Sequence, residues 1–194
     1  MTLPGGAHLD LLREAITTEG AAQRALLAGE QASALGGLRK ASRLYRESWE
    51  VAPPGSYGRL IGMLKAAVIA GDARREAAYA SAQLGEGDDS PPAHYALAIA
   101  ALVEGDDALA RTSARGMRDG SPAFVRAAEA IAALAERDAE RYAETVGEIV
   151  ADFERRDEHL TGVPIADTAI MLERLADARS LASRPRSPLL PAAR

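Results

Sequence analysis

Histidine is the side chain best suited to bind a metal or to move a proton near neutral pH, and this chain has three: His8, His94 and His159. A helical zinc pair needs two imidazoles three or four residues apart, so that both leave one face. No two of these histidines have that spacing. The absence of cysteine removes thiolate ligands, thiol nucleophiles and disulfides together. His94, beside Ser90-Pro91, reads as a surface or capping histidine. Asp152, Glu154, Asp157 and Glu158 precede His159 and could gather a cation, but Arg155 and Arg156 are interleaved, and the run reads as a solvated helix end. No Gly-x-Ser-x-Gly elbow and no Gly-x-x-x-x-Gly-Lys-Ser/Thr loop occurs. Gly36-Gly37 precedes Arg39-Lys40 without the strand and spacing that cradle a phosphate. Gly85-Glu86-Gly87-Asp88-Asp89 lacks the alternating ligands and distant Glu of a calcium loop and reads as a linker. A Ser-His-Asp arrangement would have to bring one of the three histidines to a serine across the fold. The nearest polar set for an inter-helix pocket is Asp167 with Glu173 and Arg174. The expectation is therefore a chain that is not an enzyme and uses no cofactor or metal.

The remaining chemistry is charge. Arg39, Arg43 and Arg46 share one helix face, and Arg111, Arg115 and Arg118 share another. Each stripe reads either as a solvated face or as a docking surface for an acidic partner. Lys65 is the single charge among Ile61, Val68, Ile69, Ile99, Leu102 and Val103, positions expected to line a groove. These seven basic residues are the interaction candidates. Net charge is −5, with 7 basic and 6 acidic side chains in residues 1–60 against 16 and 22 in residues 61–194. Mild acidity weighs against nucleic-acid binding, which needs clustered cations to release phosphate counterions, and suits a basic protein partner. The longest apolar stretch, Tyr95 to Val103, is too short to cross a bilayer, so no membrane role is expected. Met1 to Asp10 shows no cationic, then apolar leader. These features and the missing cysteines fit a cytoplasmic protein.

The elements that must carry these residues are helical. Hydrophobic residues make up 47 % of the chain and aromatics 4 %, with alanine, the strongest helix former, filling much of the difference. Turn signals recur at Gly36-Gly37, Gly71-Asp72, Gly105-Asp106 and Arg137-Asp138, in steps of 35, 34 and 32 residues. Such periods mark stacked helical units. Ser90-Pro91 and Ser121-Pro122 each place a capping hydroxyl before a proline at the first helical position, and Asp72, Asp106 and Asp138 stand where a second helix can be capped. The resulting helices are 8–19, 21–35, 37–52, 56–70, 73–84, 91–104, 107–118, 122–136, 139–159 and 164–180. The first two can be one helix bent at Gly20. Tyr142, Val146, Ile149 and Phe153 form an apolar stripe, as do Ile165, Ala169, Leu172 and Ala176. Helices 56–70 and 91–104 are apolar nearly all round, which predicts a closed core by default, or else an apolar groove for a partner helix. No segment reads as a strand. Residues 1–182 form one domain, and the Pro-rich tail 183–194 is not helical and reads as a frayed terminus.

This pattern resembles the tetratricopeptide repeat (TPR). Gly29, Ala41, Tyr45, Ser48 and Pro53 fit the motif, as do Ala98, Gly105-Asp106, Ala110 and Pro122. Ala114 stands where the motif wants a large ring, and the 56–87 unit, with Gly71-Asp72 and Ala77, is one residue too long after its turn. The likeness covers about residues 22–160 and implies an all-α superhelix of antiparallel hairpins that binds an unidentified protein partner without catalysis. Self-association stays open. In the C-terminal third, the charged hairpin from Ala133 to Arg155, one more helix and the closing Ser187-Pro188-Leu189-Leu190-Pro191 resemble all-helical bacterial toxin-immunity proteins. That resemblance implies neutralisation of a toxin. A small-ligand binder or enzyme with an inter-helix pocket is the third reading.

Overall fold

A helix that is apolar nearly all round must be covered nearly all round, and two helices here, those over 58–70 and 91–104, come close to that condition. The computed structural model describes residues 6–84 and 88–192. Among them are nine helices and no strand: α1 (Ala7–Leu27), α2 (Gln31–Glu50), α3 (Gly58–Ala70), α4 (Arg74–Gln83), α5 (Pro91–Glu104), α6 (Asp107–Gly116), α7 (Pro122–Glu136), α8 (Ala139–Glu154) and α9 (Asp167–Asp177). Helices α3, α5 and α7 form the buried layer, with α3 packed on α5 and α5 on α7. Runs of alanine let them do so: Ala66 and Ala67, Ala100 and Ala101, and Ala127 and Ala128 are all buried. A methyl side chain keeps two helix backbones near the close end of normal packing distances. Leu60, Met63, Leu64, Ile99, Leu102, Ile131 and Leu134 fill the spaces between, each contributing roughly 1.5–3 kcal/mol on burial. The more amphipathic α2, α6 and α8 cover this layer from outside and show one polar face to water. Residues 85–87, the centre of the expected linker, lie outside the described residues.

The helix-ending turns at Gly71, Gly105 and Arg137 lie where the sequence places them, each in the left-handed conformation that closes a helix C-terminus. The first turn does not. Gly36 and Gly37 lie inside α2, and the chain reverses instead at Gly29, with φ of 78°. Gly37 has a different job: a Cβ there would stand 2.7 Å from the Ala22 Cβ, so glycine lets α2 close onto α1. Gly20 likewise does not bend α1, which runs through it; the space above it holds the Thr161 carbonyl. The first two helices are thus longer than those that follow, and the 35-residue step does not run between equivalent turns.

Capping is mixed. Asp106, Asp138 and Ser121 accept from the amides of Leu109, Arg141 and Phe124. Asp72 does not cap, because α4 starts one residue later from Ala73, and Ser90 leaves its hydroxyl buried without a partner. Helix α8 ends at Glu154 and α9 spans only Asp167–Asp177, both shorter than the periodicity suggests. The intervening stretch crosses the bundle as an irregular connection. The tail is non-helical through Ala192, as its prolines require, but it is not frayed. Glu173 accepts from the Ser183 and Arg184 amides, Ser187 donates to Glu154, the Ala166 amide donates to the Leu189 carbonyl, and Leu189 and Leu190 pack on the core.

Candidate functional site

The positions at which a groove could open are interior, in keeping with the closed core expected by default. Val68, Ile69, Ile99 and Leu102 are buried, while Ile61 and Val103 are half-buried. Helix α9 supplies much of the cover, packing on α3, α7 and α8. Its first residue, Asp167, meets the one groove charge: Lys65 Nζ lies 2.6 Å from the Asp167 carboxylate and donates to Thr168 Oγ1 at 3.1 Å. Both side chains are largely buried, at 14 % and 18 % exposure. Burial works against the Lys65 charge, yet the adjoining carboxylate raises its pKa above the ordinary lysine value. The favourable end of the α9 dipole adds to the hold on Asp167.

A second polar set lies behind this pair. Glu19 of α1 is only 3 % exposed and accepts from the Tyr45 hydroxyl at 2.6 Å. Burial and the negative charge of Asp167 push the Glu19 carboxyl up to about 7, against the Tyr45 hydrogen bond and the Lys65 charge. Burial and Glu19 in turn raise the Tyr45 phenol far above its usual range. Gln23 carries the network on, accepting from Thr161 in the α8–α9 connection at 2.5 Å. Sequence reasoning missed this set, although a signal existed. Ala15, Ala22 and Leu26 form an apolar stripe on α1, and Glu19 sits inside it at helical spacing.

The two sets border a cleft of about 420 Å³ between α5, α7, α8 and the residue 156–165 connection. Its closed end holds Lys65, Thr168 and Tyr95. Tyr95 is 7 % exposed, and its hydroxyl has no hydrogen-bond partner. The neighbouring Thr168 hydroxyl is already engaged by Lys65 and Asp167. Burial raises the Tyr95 phenol above its ordinary value, so it keeps its proton. The ring is held edge-on to Phe124, with centroids 5.4 Å apart. The walls are apolar, from Phe124, Ile149, Phe153, Val163 and Ile165, and Leu160 stands at the lip 79 % exposed. Asp152 on the mouth is gripped by Arg126 at 2.6 Å and by Arg156 at 2.6 Å. Burial pushes the Asp152 carboxyl up, but the two guanidiniums outweigh it and hold it below the usual range, which makes it a poor proton acceptor. Arg156 lies over the Phe153 ring at 3.8 Å. His159 stacks on the other side of the mouth, 6.1 Å from Phe153, with Nδ1 buried and unpartnered.

The other expected residues scatter. Arg39 reaches the Ala70 carbonyl at 3.5 Å, and Arg46 pairs with Glu50 and lies over Tyr79, contacts that help pack α2 against its neighbours. Arg43 is exposed between them. Arg111, Arg115 and Arg118 gather with Arg141 around a smaller cleft of about 240 Å³, where Arg118 and Arg141 share Glu129. His94 pairs with Asp89 at 2.8 Å, and His8 faces Arg59. Of the Asp167, Glu173 and Arg174 set, only Asp167 reaches the cleft at Tyr95; Arg174 lines a wider, more open one of about 710 Å³ beside Arg137 and Arg179, and Glu173 accepts from Tyr142 and ties down the tail. Among the described residues, no group of three His, Asp or Glu side chains converges as a cation site, and no helix is long and apolar enough to cross a membrane. In comparison with known proteins, the chain matches no family model, no curated protein and no solved structure.

Proposed function

We propose that the protein is a non-enzymatic binding module that takes a small amphipathic ligand in the cleft between α5, α7, α8 and the α8–α9 connection. The observation that carries this reading is an apolar-walled cleft of about 420 Å³ that is lined in part by Tyr95, whose buried hydroxyl has no hydrogen-bond partner. Buried polar groups without partners are rare and costly, and the volume falls in the range of ligand pockets. A TPR-like stack of helical hairpins is the scaffold we favour, supported by the left-handed turns at Gly71, Gly105 and Arg137. In it α9 fills the surface that such stacks otherwise offer to peptides. The cysteine-free composition is compatible with cytoplasmic residence. A thermal-shift screen of a chemically diverse compound set on wild type and on Tyr95→Phe tests the reading. Removing an unpartnered hydroxyl leaves the free protein as stable as before, while ligands that raise the wild-type melting temperature lose most of their effect. Identical shifts in both proteins, or no shift with any compound, would refute it.

A protein partner is the second reading, favoured by a separate observation. Glu140, Glu144 and Glu148 form an exposed ladder on α8 with no cation paired to any of them among the described residues. Like charges at this spacing weaken a helix, so the ladder gains by meeting a basic surface, as a toxin-neutralising role would require. Charge reversal at Glu140 and Glu144 should abolish capture of such a partner in co-expression; capture that survives reversal sinks this reading.

A further inference from the structure

The charge balance of the cleft says what kind of ligand fits it, on the reading that the cleft binds one. At the closed end Lys65 and Asp167 neutralise each other. At the mouth two guanidiniums share a single carboxylate: Arg126 gives Asp152 one contact at 2.6 Å, and Arg156 gives it two, at 2.6 Å and 3.1 Å. One positive charge is left over, and most N–H donors of the two forks remain unengaged among the described residues. Arg156 is also held by the Phe153 ring, with its guanidinium carbon 3.8 Å from the ring centroid. The first turn of α7 also lines this mouth through Ala123 and Phe124, adding the positive end of a helix dipole. Between mouth and floor the surface is apolar, and Leu160 at the lip exposes a side chain that a bound hydrocarbon would cover.

We propose that the ligand is a small monocarboxylic acid on an aliphatic or aromatic body. Its carboxylate completes the fork pair Arg126 and Arg156, its body lies along Phe153, Ile149 and Leu160, and a second polar atom accepts from the Tyr95 hydroxyl. A carboxylate here is the planar, bidentate partner that guanidinium forks hold best. An amide of the same shape keeps the body contacts and loses the charge; an amine meets a net positive mouth.

The test is calorimetric titration of the full chain with a panel of straight-chain and aryl-substituted monocarboxylic acids, each beside its primary amide and the corresponding amine. The acids should bind at least about tenfold more tightly than their amides, with an advantage that shrinks in high salt, and the amines should not bind. Arg156→Gln, at an exposed position that leaves the Arg126–Asp152 pair in place, should erase the preference for acid over amide. Tyr95→Phe should weaken acids that carry a second acceptor more than those that do not. Amides or amines that bind wild type as tightly as the acids would overturn the charge assignment while leaving the cleft as a binding site. Failure of every probe in all three charge classes would overturn both.

Discussion

Replacing Glu19 by Gln should flatten the pH dependence of stability between about pH 5 and pH 8. The folded Glu19 carboxyl titrates at about 7, against 4.5 for an unperturbed group. Because the folded value is raised, the fold holds the proton more tightly than the unfolded chain does. The contribution is fully present below the unfolded value and is lost as pH rises through the folded one. Wild type therefore loses, relative to the Gln variant, about 2.5 kcal/mol between pH 5 and pH 8. Nearly full burial of the side chain leaves solvent screening little part in this figure. Gln keeps the acceptor that Tyr45 needs, so its own stability carries no term from this site over that range. Urea unfolding at the two pH values, for both proteins, measures the effect. With a slope of about 2 kcal/mol per molar urea, the difference between the two wild-type midpoints should exceed that of the variant by about 1 M. Parallel curves for the two proteins would refute the placement of Glu19 in a dry, negatively charged surround.

Breaking the Lys65–Asp167 pair from one side, by Lys65→Met or Asp167→Asn, should cost about 3–5 kcal/mol in chemical unfolding, because a buried charge is stranded; replacing both with apolar residues together should recover most of it. The two adjacent glycines of α2 should respond oppositely in thermal melts. Gly37→Ala forces a methyl against Ala22 at 2.7 Å and should destabilise by about 1–3 kcal/mol. Gly36→Ala, exposed with nothing within 4 Å, should stabilise by roughly 0.5–1 kcal/mol.

Local rules made most of the helices legible. Apolar periodicity on α8, prolines at the starts of α5 and α7, and the Gly-Asp turns at 71 and 105 act over a few residues, so they can be read from a few residues. The same locality explains the error at Gly36-Gly37. Two glycines signal a turn only if the chain has nothing better to do there, and whether Ala22 of another helix needs the space is not written nearby. The sequence likewise determined that Lys65 would stand alone among apolar neighbours, but not that Asp167, 102 residues later, would neutralise it. Glu19, Tyr45, Tyr95 and Asp152 take their properties from burial and from neighbours on four other elements. A pKa, an unpartnered hydroxyl and an unequal count of charges at a cleft mouth all depend on which distant groups are brought together. Helix identity is thus fixed by short-range backbone preference and patterning, whereas the candidate site is decided by the packing of α9 and its connection over the buried layer of α3, α5 and α7.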